Sequence, residues 1–139
     1  MLAATTYSPE SFNLDYRSDQ LLLIGRWLRP ASLAELKTHY QALLDAAVAH
    51  NNCRHWLLDV RRRDIHDGDA IGWFAEFSRQ LPTALGQPVV LAYFAMVNQG
   101  DATKDSRLRD NMRQGAVQGN RYCYFNQENE ALAWLLQQP

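Results

Sequence analysis

Four short apolar runs, most of them followed by a stretch of helical spacing, constrain this chain more than any other feature of its sequence. They cover residues 21–27, 55–60, 89–97 and 121–125 and are rich in leucine, valine and aromatic side chains. The first reads Leu21-Leu22-Leu23-Ile24-Gly25-Arg26-Trp27, apolar almost throughout. Such a run suits a strand covered on both faces. Ahead of it Phe12, Leu14 and Tyr16 alternate with Asn13, Asp15 and Arg17, the period of a strand with one buried face. Only Ser18-Asp19-Gln20 separates the two, so a hairpin is expected. Residues 1–10 read as a flexible lead-in.

The stretches between the runs carry helix signals. Ser32 and Glu35 have capping-box spacing: the serine oxygen accepts from the third backbone N–H and the glutamate reaches back. Leu33, Leu36, Tyr40, Leu43, Leu44, Ala47 and Val48 follow at helical spacing, which predicts a helix from Ser32 to about His50, ended by Asn51-Asn52. A second helix is expected over 69–81. Ala70, Phe74, Phe77 and Leu81 form its stripe, Ile71 and Trp73 lie beside it, and Pro82 and Gly86-Gln87-Pro88 mark its end. A third, capped by Asp105 or Ser106, carries Leu108, Met112, Ala116 and Val117 and stops at Gly119-Asn120. Asn126 caps a last helix, with Glu128 and Glu130 in its first turn and Ala131, Leu132, Trp134, Leu135 and Leu136 on its apolar side.

The expected order is β-β-α-β-α-β-α-β-α. Strands alternating with helices predict an α/β fold, a mostly parallel sheet of about five strands with helices packed on it and the first strand antiparallel. The 139 residues fit one domain spanning 1–139.

Composition narrows the function classes. Fourteen basic and fifteen acidic residues give a net charge of −1, which offers no bulk attraction to nucleic acid. No run of apolar residues is long enough for a membrane span, and the first ten residues lack a signal-peptide pattern, so a cytoplasmic protein is expected. Cys53 and Cys123 lie within or beside apolar runs and read as buried free thiols, not as a disulfide or zinc framework. No phosphate-binding glycine loop, nucleophile elbow or zinc-helix motif occurs, so no cofactor is expected.

The element order resembles that of STAS domains, the family of anti-anti-sigma factors and transporter tails. More closely it resembles the small STAS/SEC14-like proteins often called SpoIIAA-like. Three stretches carry the resemblance: Leu57-Leu58-Asp59-Val60 with the charged loop and the Trp73 helix after it; residues 89–97; and the closing strand and helix around Phe125, Glu130, Ala131, Trp134 and Leu135. The resemblance implies a non-enzymatic interaction module and, on its SEC14-like side, a small carrier of lipid or another apolar ligand. Regulatory STAS domains carry a phosphorylated serine at the start of the second helix. The matching segment here is Asp67-Gly68-Asp69-Ala70, which has no hydroxyl. Asp67 or Asp69 then reads as a helix cap.

The candidate surface follows from charge. Arg61, Arg62 and Arg63 leave what reads as a parallel strand, at the sheet edge where α/β proteins bind ligands. Arg107, Arg109 and Arg113 fall on the expected third helix. Trp73, beside Phe74 and Phe77, has aromatic surface to spare for a partner, a second copy of the chain or an apolar ligand. His66 with Asp64, Asp67 and Asp69 is read as polar loop surface and not as a metal site. The binding set is therefore Arg61, Arg62, Arg63, Asp67, Asp69 and Trp73. The expected occupant is a protein partner, with an apolar small molecule as the alternative.

Overall fold

The fold, seen in a computed structural model that describes residues 10–63, 69–95, 114–117 and 120–138, is built on one sheet. In chain order the elements are β1 (Phe12–Arg17), β2 (Leu22–Trp27), α1 (Leu33–Ala49), β3 (His55–Asp59), α2 (Asp69–Leu85), β4 (Val90–Phe94), β5 (Gln114–Val117), β6 (Asn120–Phe125) and α3 (Glu128–Gln137). The strands lie in the order β1-β2-β3-β4-β6-β5. β2, β3, β4 and β6 run parallel, while β1 and β5 pair antiparallel at the two edges.

The α/β class stands, but the sheet is mixed and six-stranded rather than mostly parallel with about five strands. The difference arises at the far edge. Ala116 and Val117, expected on a helix, lie in β5, which pairs antiparallel with β6 and satisfies that strand's outer backbone groups. Asp105, Ser106, Leu108 and Met112 of the expected third helix lie outside the described residues.

Period-two alternation sorts the side chains of each strand onto two faces. Phe12, Leu23, Trp27, Trp56, Leu58 and Leu91 pack against α1 and α2. Leu22, Ile24, Leu57, Val90, Ala92, Phe94, Cys123 and Phe125 pack on the other face with Ala131 and Leu135 of α3. β2 is buried on both sides, as its unbroken apolar run requires. Gly25 lets α1 approach closely. A Cβ there would meet Leu43 at 3.1 Å and Phe12 at 3.2 Å, both fully buried.

The Ser32–Glu35 capping box forms as the spacing predicts. Asn51 and Asn52 leave α1 with φ of 59° and 57°, a left-handed conformation that asparagine tolerates. α3 departs from expectation at its start: its N-cap is Gln127, one residue beyond Asn126, and makes no side-chain cap bond.

α2 does not stop at Pro82 but runs on to Leu85. Proline has no N–H, so the Ser78 carbonyl four residues back loses its helical donor. Asn120 supplies one. Its Nδ2 donates to the Ser78 carbonyl at 2.7 Å, while its Oδ1 accepts from the Val89 N–H at 2.9 Å. Asn120 is thus a buried clip between α2 and the entry to β4 and not a helix stop. Asn120→Ala strands both backbone groups and is expected to cost about 2–4 kcal/mol in denaturant unfolding. A loss below about 0.5 kcal/mol, the level of a surface change, would show that water replaces the amide.

Candidate functional site

The three arginines that follow β3 go to three different environments. Asp59 ends β3 on the α3 face and is only 4% exposed. Arg61 folds back on it as a fork, Nε to Oδ1 at 2.9 Å and Nη2 to Oδ2 at 2.8 Å. Arg26, its register partner on β2, donates to Oδ2 at 3.1 Å and also pairs with Glu128 in the first turn of α3. The Arg61 guanidinium covers the Phe94 ring at 4.2 Å. Burial pushes the Asp59 carboxyl up, but hydrogen bonds from Arg61 and Arg26 outweigh it and hold it below the ordinary aspartate range. This network ties β2, β3 and α3 together, and it commits Arg61 to structure.

Arg62 is exposed. Arg63 turns to the opposite face of the sheet. Its guanidinium lies 4.7 Å from the Trp27 ring, 5.1 Å from Phe74 and 5.8 Å from Tyr40. Its Nη1 donates to the Tyr40 hydroxyl, its one hydrogen bond to the described residues, and its Nε is buried without a partner. No carboxylate of the described residues lies within ion-pair range of it. Around it Trp73 stacks on Phe77 at 5.1 Å and meets Tyr40 edge-on at 5.6 Å.

Tyr93 of β4 and Tyr124 of β6 are register partners on the same face and stack at 4.8 Å, with Tyr122 set edge-on to both. Desolvation raises the Tyr93 hydroxyl well above its ordinary value and raises Tyr124 too, while the Arg63 charge pulls both the other way. Both phenols therefore stay protonated at neutral pH and can donate hydrogen bonds.

The structure thus joins Arg63 and Trp73, through Tyr40 and Phe74, and separates Arg61 and Arg62 from them. Asp69 is the first residue of α2; Asp67, His66, Arg107, Arg109 and Arg113 lie outside the described residues. Tyr40, Tyr93, Tyr122 and Tyr124 were hidden in runs that read as plain core. The signal was there in the alternation of Tyr122 and Tyr124, whose polar tips a fully dry strand face would not favour.

The other candidates are structural. His39 is buried and accepts from the Trp27 indole at 2.9 Å. His50 stacks on Tyr16 at 3.7 Å. Cys53 and Cys123 are both buried. Among the described residues no group of three or more His, Cys, Asp and Glu is placed to hold a metal ion, and no helix is long and apolar enough to cross a membrane. Comparison with protein-family models, curated proteins and solved structures found no match.

The network sets an acid limit. A carboxyl held below its unfolded value near 3.9 contributes stability that is present above that pH and is lost as pH falls through the lower folded value. Asp59→Asn should cost about 1–3 kcal/mol at neutral pH, less than for a fully buried pair because Arg26 and Arg61 are 25% and 34% exposed. It should also flatten the decline in stability below about pH 4. Thermal melts of both proteins between pH 7 and 3 measure this; parallel curves would contradict it.

Proposed function

We propose that this chain is a non-enzymatic binding domain of STAS-like type, and that its occupant sits over the segment 61–73 at the C-terminal edge of the parallel strands. The reading rests on one observation: Arg63 holds its charge inside a ring of aromatic side chains with no carboxylate of the described residues beside it. A helix-capped sheet edge is where α/β folds take ligands. Aromatic walls with a few polar groups are the usual lining of a small-molecule site.

The occupant we favour is a small molecule with an apolar body. Trp73 is half-buried and engages Tyr40, Phe74 and Phe77, so it forms part of an aromatic wall and is not a fully exposed anchor for a protein. An acidic protein partner is the second reading, and the exposed Arg62 favours it.

Titration with the neutral dye Nile red tests the first reading. Saturable binding of one dye per folded chain is expected. Trp73→Ala should weaken it at least tenfold and should cost about 1–3 kcal/mol of stability, less than a fully buried tryptophan would. A wild-type protein that takes up no dye saturably would overturn the small-molecule reading and leave the protein partner.

A further inference from the structure

The apolar wall of the site does not explain its charge. A guanidinium placed among aromatic rings gains from their electron-rich faces, but this replaces only part of its lost hydration. Natural interiors balance such a group with a carboxylate, and this molecule does so nearby: Arg61 and Arg26 share Asp59. Among the described residues Arg63 has no equivalent. Its one hydrogen bond among the described residues goes to the Tyr40 hydroxyl, and Nε has no acceptor.

On the reading of this edge as a small-molecule site, we propose that Arg63, with the hydroxyl of Tyr40, forms the head-group subsite for the carboxylate of an amphipathic ligand whose apolar body lies along Trp73 and Phe74. Two features point to a monoanionic carboxylate. Among the described residues of the subsite Arg63 is the one cation, so a single negative charge balances it and a doubly charged phosphate would leave a surplus. A guanidinium presents parallel N–H donors that match the two oxygens of a carboxylate. Arg63 lies on the α1/α2 face and Arg61 on the α3 face, so the two cations do not compete for the same anion.

Matched probes separate this inference from the reading it rests on. Decanoate and 1-decanol have the same chain and differ in charge. Binding is followed by tryptophan fluorescence and calorimetry on the full chain. The expected result is that decanoate binds at least tenfold more tightly than decanol. The preference should persist at about 0.5 M salt, since a desolvated pair is poorly screened. Arg63→Met should bring decanoate down to the affinity of decanol, and Arg63→Lys should restore part of the difference.

Equal affinity of the wild type for both probes would overturn the carboxylate subsite while leaving the apolar site standing. Failure of both probes to bind would overturn the site and the subsite together. A preference that vanishes at high salt would assign it to the exposed Arg62 and overturn the role of Arg63. The probe ratio and its salt dependence are read on the wild type, so the test survives even if Arg63→Met does not fold.

Discussion

A guanidinium cannot leave water without something to stand in for its hydration, and this molecule meets that demand in two different ways at the end of one strand. On the α3 face Asp59 accepts a fork from Arg61 and a further bond from Arg26. On the opposite face Arg63 is met by π faces and one phenol. Two positions along an extended segment restore the same side, yet Arg61 and Arg63 part company because the chain turns after Val60. The Arg63 N–H bonds back to the Val60 carbonyl and closes that turn. The fold positions of β2, β3 and α3 depend on the first solution. The chemistry of the edge depends on the second.

The sheet supports that edge from below. Four parallel strands end together there, and each delivers one side chain to the α1/α2 face near the exit: Trp27, Leu58, Tyr93 and Tyr124. α2 reaches the same place from Asp69, carrying Trp73 and Phe74 in its first two turns. Its far end is held by Asn120, which replaces the donor that Pro82 lacks. A helix broken at Pro82 would give up the anchorage of Leu85, which is 2% exposed within the same core.

Much of the fold was legible because local rules and burial agreed. The capping box at Ser32 needs only sequence spacing, and the run from Leu22 to Trp27 could bury both faces only inside a sheet. Legibility failed where a distant residue overrode a local signal. Pro82 and Asn120 each read as a stop; together, in space, they make a continuous helix. Ala116 and Val117 fit a helical stripe, but pairing with β6 decides their state. At the site, Arg61, Arg62 and Arg63 are one motif in sequence and three separate roles in space, since nothing local tells which of them Asp59 will claim. The tyrosines on β4 and β6 come together by register across strands some thirty residues apart, which no linear spacing displays.

The central claim is that Arg63 is a desolvated recognition group and not a surface charge that drifts over nearby rings. The most direct measurement is the nuclear magnetic resonance signal of its Nε–H, assigned through Arg63→Lys. A proton enclosed by the Trp27, Tyr40 and Phe74 rings should resonate upfield of an exposed arginine and exchange slowly with water. It should move when decanoate is added and stay in place with 1-decanol. A signal at the position and exchange rate of a solvent-exposed arginine, unmoved by decanoate, would contradict the account.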